Sequence, residues 1–232
     1  MPLKTIGMIG GTSWTSTLEY YRIMNKTVQE RVGGEASAKL IMYSVDFSEL
    51  RSVQKQRGWD AVADMLIDIS RRLQGAGAEF LVLGANTLHI VADRLEEALD
   101  MPLLHIADAT AAAIRAAGMG TVGLLGTRYT MMEAFYRVRL KEKHGIEVVV
   151  PPQDDIERVD SIIFDELVRD VFKDESRGEV LRVAGGLVEA GAEGIVLGCT
   201  ELPLLVSAEQ VPVPSFDTLT LHAVAAAERS MA

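Results

Sequence analysis

The sequence predicts an α/β protein with two pseudo-symmetric domains, each a parallel sheet flanked by helices. Three observations predict it. Short apolar runs alternate with longer amphipathic ones along the whole chain. Two segments recur at an offset close to half the length. And 232 residues, 48 % of them hydrophobic and 24 % charged, have the balance of a globular chain long enough to bury a real core.

The strand candidates are residues 5–9, 40–45, 80–83, 103–106, 122–125, 148–150, 195–197 and 212–216. Each is brief and mostly apolar on both parities, which suits central parallel strands covered on both faces. The helical stretches between and after them are 16–32, 59–74, 88–99, 110–117, 129–143, 155–172, 179–190 and 218–229. Within 59–74, Val62, Met65, Leu66, Ile69 and Leu73 recur at helical spacing and mark the stripe that faces the core.

The recurrence is the most informative feature. Residues 77–88 read Gly-Ala-Glu-Phe-Leu-Val-Leu-Gly-Ala-Asn-Thr-Leu, and residues 191–202 read Gly-Ala-Glu-Gly-Ile-Val-Leu-Gly-Cys-Thr-Glu-Leu. Seven of twelve positions agree, at an offset of 191 − 77 = 114. Residues 5–10 and 121–126 form a second pair, at an offset of 121 − 5 = 116. Two matches in the same order at nearly one offset favour a duplicated unit over chance likeness. In parallel α/β sheets ligands lie past the carboxyl ends of strands. Duplication therefore pairs the loop 10–13 with 126–128, and the loop 84–87 with 198–201, as opposite walls of one expected cleft.

Charge narrows the function classes. Lys and Arg total 23 against 33 Asp and Glu, a net charge of −10. So acidic a chain has few basic residues to spare for nucleic acid or an anionic membrane. One cysteine excludes a disulfide framework and a Cys-rich zinc site. The apolar runs are far shorter than the ~20 residues of a membrane span. The first residues lack a signal-peptide layout, so a cytoplasmic protein is expected. His89, His105, His144 and His222 form no H-x-x-x-H or H-E-x-x-H pair, so no metal site is expected.

Cys199 is the sharpest chemical candidate. It follows a strand-end glycine, where backbone N–H groups could lower its pKa and favour a thiolate able to act as nucleophile or proton acceptor. The plain alternative is a small buried hydrophobe. Thr200 and Glu201 behind it tilt the balance towards function. Ala85 holds the matching place in the first half and has no acid–base capacity. Asn86 and Thr87 either donate to a carboxylate or cap a helix. Thr127 and Thr130 flank Arg128 as a carboxylate cradle, or as an N-cap beside a solvated Arg. Gly11, Thr12 and Ser13 could hold an anion at a helix N-terminus, without matching a nucleotide fingerprint. Gln54 lies in a polar stretch, 48–57, that is a lid loop or a helix start. Asp46 and Asp217 read as helix caps, and the acidic run 154–166 as a solvated face from which Glu166 could point inward.

These loops resemble the aspartate/glutamate racemase family of cofactor-independent amino-acid racemases, and most closely its broad-specificity and aspartate/glutamate branch. The matching segments are residues 6–14 with 20–22, 44–47, Asn86-Thr-Leu-His89, 103–108, 125–130 and Gly198-Cys-Thr-Glu201. The resemblance implies two domains, 1–101 plus 216–232 and 102–215, with the active site between them, usually in a homodimer. It implies two cysteines that serve opposite faces of the α-carbon, with neither pyridoxal phosphate nor metal. Cys199 matches the second cysteine. Asn86, Thr87, Thr127, Thr130 and Thr200 match carboxylate- and ammonium-binding positions, and Gly11, Thr12, Ser13 and Gln54 match contacts to the distal end of the substrate. Ala85 stands where most relatives carry the first cysteine.

That departure sets the expectations. The first is racemisation of aspartate or glutamate with Cys199 as the acid–base thiol, assisted by Glu201. The second is a one-base decarboxylase, isomerase or lyase acting on a dicarboxylate. The third is a binder of acidic metabolites with no turnover. Loss of a positioned acid–base group costs about 10²–10⁴-fold, roughly 3–5 kcal/mol, so Ala85 should slow racemisation sharply while leaving binding intact.

Overall fold

A computed structural model describes residues 2–232. The first sheet is parallel and four-stranded, in the order β2-β1-β3-β4, from β1 (Ile6–Gly10), β2 (Leu40–Ser44), β3 (Phe80–Leu83) and β4 (Leu103–Leu104). Its connections are α1 (Trp14–Val32), α2 (Phe47–Gly75) and α3 (Ala92–Ala98). After α4 (Ile106–Ala116) the plan repeats. The strands β5 (Thr121–Gly126), β6 (Glu147–Val149), β7 (Gly194–Gly198) and β8 (Ser215–Asp217) form a parallel sheet in the order β6-β5-β7-β8. Its helices are α5 (Arg128–Met132), α6 (Ala134–His144), α7 (Gln153–Asp165), α8 (Asp174–Glu189) and α9 (Leu202–Leu205), and α10 (Thr218–Met231) follows β8.

The two sheets share strand order and register. Ile6 pairs with Phe80 as Val122 pairs with Gly194, which reproduces the sequence offsets of 116 and 114. The repeated Gly-Ala-Glu acquires a role. The Glu79 carboxylate accepts the Thr5 N–H at 2.6 Å, while its own N–H donates to Thr5 O at 2.8 Å. Glu193 does the same with Thr121, at 2.8 and 2.9 Å, and adds the Gly120 N–H at 2.7 Å. These backbone donors hold the Glu193 carboxyl below its ordinary pKa. Each glutamate thus closes the amino end of a central strand.

Contacts divide the chain into two units, residues up to Ile106 with His222–Ala232, and Ala107–Leu221. The sequence reading places these divisions at 101/102 and 215/216. They fall later because β4 pairs with β3 and β8 pairs with β7, and each strand stays with its own sheet. In the first unit Val62, Leu66, Ile69 and Leu73 of α2 pack on Ile9, Leu81 and Leu83, with Met65 at the margin. Burying each such side chain contributes about 1.5–3 kcal/mol. Full burial on both faces holds for β1, β3 and β7, and for β5 apart from Thr121; the edge strands β2 and β6 are partly exposed.

Several boundaries differ from expectation for local reasons. The helix α2 begins at Phe47, because Asp46 caps it by accepting the Ser48 N–H at 2.8 Å. The polar stretch 48–57 is therefore helical, up to a kink at Gly58. The stretch 129–143 breaks at Glu133, which is extended, and gives α5 and α6. The stretch 155–172 stops at Asp165. There Glu166 turns back to accept from the Ser176 hydroxyl at 2.6 Å and the Lys173 ammonium at 3.1 Å. Asp217 caps α10 through the Leu219 N–H at 3.0 Å. Among the described residues, no helix is long and apolar enough to cross a membrane.

Candidate active site

The candidate loops lie past the carboxyl ends of adjacent central strands, β1 and β3 in the first unit and β5 and β7 in the second. Glycine opens the loop after β3 and closes β7, because the chain runs against its neighbour there. A Cβ on Gly84 would stand 3.1 Å from the Ile9 carbonyl oxygen, and one on Gly198 would stand 2.9 Å from that of Leu125. The first side chain each unit can present beyond that point is the next residue, Ala85 or Cys199.

In the second unit the Cys199 thiol donates to Glu201 Oε2 at 3.1 Å, and the Thr200 hydroxyl donates to the same oxygen at 2.9 Å. Cys199 and Glu201 are both buried. The expectation of a lowered thiol pKa is corrected here. Burial, and after it the charge of Glu201, push the Cys199 thiol well above its ordinary value. The backbone N–H groups of Glu201 and Leu202 pull the other way and lose. The resting group is a thiol aimed at a carboxylate. Iodoacetamide should therefore alkylate Cys199 at least about tenfold more slowly in the folded protein than in urea, because the thiolate is the reacting form. With one cysteine in the chain, a mass shift on a time course reads this directly; equal rates would contradict the geometry.

Thr127 caps α5, its hydroxyl accepting the Thr130 N–H at 3.3 Å and lying 3.2 Å from the Thr130 hydroxyl. Both threonines are buried. Arg128 is exposed, with its guanidinium 5.7 Å from the Tyr129 ring centre.

In the first unit Ala85 is half-buried against the core. Asn86 is buried, and its side chain makes no capping bond to the 3-10 turn Thr87–Val91. Thr87 opens that turn and is partly buried. In the loop after β1, Gly11 has φ +88°, and a Cβ there would stand 2.2 Å from the Val45 carbonyl oxygen. Its N–H donates to Thr17 Oγ1 at 2.8 Å, and that hydroxyl donates to Ser13 O at 2.8 Å. Ser13 caps α1 and shares its hydroxyl with Thr15 at 2.7 Å, so its side chain is engaged in structure. Thr12 differs. Its Oγ1 is buried with no hydrogen-bond partner among the described residues, a state that costs about 1–3 kcal/mol. Gln54 sits, partly buried, on the first segment of α2.

Sequence reasoning missed Thr17, whose signal is only a threonine six residues after Gly11. It also missed the gathering of His89, His105 and His222, which no short spacing reveals. Among the described residues, no group of three or more His, Cys, Asp or Glu side chains is arranged to hold a metal ion.

The Asp/Glu/Hydantoin racemase family matches residues 9–226. A broad specificity amino-acid racemase of Bacillus subtilis is 33% identical over 90 residues, 39% of this chain and 39% of that protein. The match thus spans about two fifths of that curated relative. The crystal structure of a candidate Asp/Glu racemase from Yersinia pestis has a TM-score of 0.93 at 48% identity, covering 99% of this chain and 100% of the other. An aspartate racemase homologue from Pyrococcus horikoshii gives 0.85 at 36% identity, with coverage of 99% and 100%.

Proposed function

The chain belongs to the Asp/Glu/hydantoin racemase family, and on that premise we propose that it exchanges the α-proton of an acidic amino acid, aspartate or glutamate, as a PLP-independent isomerase. The observation that carries this reading is the buried thiol of Cys199 at a strand end, hydrogen-bonded to Glu201 at 3.1 Å.

The proposed chemistry follows from that pair. Glu201 accepts the thiol proton, and the thiolate removes the α-proton to leave an enolate-like carbanion. When the S–H hydrogen swaps with solvent before one is returned to the same face, the result is exchange with solvent and no inversion. Inversion requires a donor on the other face. The reading sets the loop carrying Ala85 there, where only water or the Thr87 hydroxyl supplies a proton. Asn86, Thr87, Thr127, Thr130 and Thr200 would hold the α-carboxylate and ammonium. Gly11, Thr12, Ser13 and Gln54 would address the distal carboxylate. The unsatisfied Thr12 hydroxyl supports a polar ligand in that loop. The expected pattern is wash-in of solvent deuterium faster than racemisation. The test is NMR of L- and D-aspartate and glutamate in D₂O with the protein. Absence of exchange with this chain, and again after Ala85→Cys, overturns the proposal.

Ala85 also favours a second reading, a single-thiol decarboxylase, isomerase or lyase acting on a dicarboxylate. A one-faced donor fixes product chirality, so prochiral aryl-malonates distinguish it: one enantiomer of the monoacid supports it, and a racemic product counts against it.

A cytoplasmic homodimer belongs to the same proposal. Trp14, Leu18 and Tyr21 lie at i, i+4 and i+7 on α1 and are 72%, 57% and 50% exposed. Light scattering should give a dimer mass for this chain and a monomer mass for Leu18→Glu. A monomer without the substitution would refute the dimer.

A further inference from the structure

His89 is buried and uses both ring nitrogens. Nε2 lies 3.3 Å from the Ile106 backbone nitrogen, and Nδ1 lies 3.0 Å from Ala85 O and 3.3 Å from Asn86 O. A backbone N–H can only donate. Nε2 must therefore be the acceptor, and Nδ1 carries the proton that is given to the Ala85 carbonyl. A second imidazole backs the first. His222 donates from Nε2 to Leu104 O at 2.9 Å, and its Nδ1 accepts from the Tyr20 hydroxyl at 2.9 Å. The His89 ring centre is 4.5 Å from that of His105 and 5.8 Å from that of His222. The neutral, tautomer-fixed His89 ring thus ties the loop after β3 to Ile106, the first residue of α4, and His222, itself bonded to Leu104 and to Tyr20 of α1, packs against that ring. The second unit lacks this device: 89 + 114 = 203, and residue 203 is proline.

We infer that His89 is a positioning residue, whose Nδ1–H fixes the Ala85 peptide and with it the direction of Asn86 and Thr87. The inference rests on the proposal that these two side chains hold the substrate. A displacement of about 1 Å at such a loop costs on the order of 10²-fold in kcat/KM, so a ring that only fixes the peptide still matters to function.

The variants separate the two nitrogens. His89→Asn places an amide donor near Nδ1 and keeps the bond to Ala85. His89→Gln places its amide near Nε2 and loses that bond. Both remove a buried ring and should cost similar thermal stability. The expected result is a KM within about threefold of the parent for His89→Asn. For His89→Gln, KM should rise about tenfold or more, with a smaller change in kcat and faster amide deuterium uptake across residues 84–88. Equal behaviour of the two variants, or unchanged uptake in His89→Gln, overturns the inference. Should the parent chain exchange no substrate proton, the functional proposal falls, and amide uptake still decides the role of His89. Should neither variant fold, ¹⁵N-histidine NMR of the unmodified chain decides it. A neutral Nδ1–H tautomer supports the assignment, and an Nε2–H or cationic ring refutes it.

Discussion

Cys199→Ser should slow α-proton exchange by about 10²–10⁴-fold, roughly 3–5 kcal/mol of barrier. The serine hydroxyl is close in size and still donates to Glu201, so the 3.1 Å contact keeps a counterpart and the loop keeps its shape. What is lost is a group far more acidic than a serine hydroxyl, and with it the thiolate that the proposed exchange needs. Binding should survive, since the thiol carries none of the proposed contacts to substrate carboxylates. Stabilisation by the amino acid in a thermal melt checks that point independently. Deuterium wash-in by the serine variant within tenfold of the parent rate would remove Cys199 from the chemistry. A linked effect appears in stability. Folding raises the thiol pKa above its unfolded value of about 8.5. The stability tied to the neutral thiol is therefore complete below that pH and is lost as pH rises towards the folded value. The serine variant should show a flatter alkaline limb.

The second large effect is a gain. Ala85→Cys should raise racemisation by about 10²–10⁴-fold while changing same-face exchange little. The substitution adds one sulfur at a half-buried position directly after Gly84, the counterpart of the position after Gly198 that already carries a thiol. No glycine is disturbed, and the β3 register is untouched. Chiral chromatography of L-aspartate incubations reads the result. If the variant inverts substrate no faster than the parent, residue 85 does not serve the second face.

Much of this was legible from residues alone. The alternation of apolar runs with amphipathic stretches identified all eight strands, because parallel strands in a covered sheet are short and apolar on both parities. The duplicated segments located the residues past β3 and β7, because Gly84 and Gly198 hold both loops to one geometry. What was not legible depends on burial and on the direction side chains take, which periodicity does not encode. The thiol pKa is raised by burial first and then by the charge of a carboxylate two residues away. The Asp46 cap is legible, but the sequence leaves 48–57 open between a lid loop and the helix start that the fold shows. Thr127 served equally well on paper as ligand or cap, and the fold adds that the hydroxyls of Thr127 and Ser13 both cap helices.

The two glycines that press against neighbouring carbonyls leave each half a single interchangeable socket. A side chain at Gly84 or Gly198 would crowd a neighbouring carbonyl oxygen at 3.1 or 2.9 Å, so residues 85 and 199 are the first places where each half can change a side chain without disturbing its strand. On the proposed reading, exchanging alanine, serine and cysteine there would move the protein between one-handed and two-handed proton transfer.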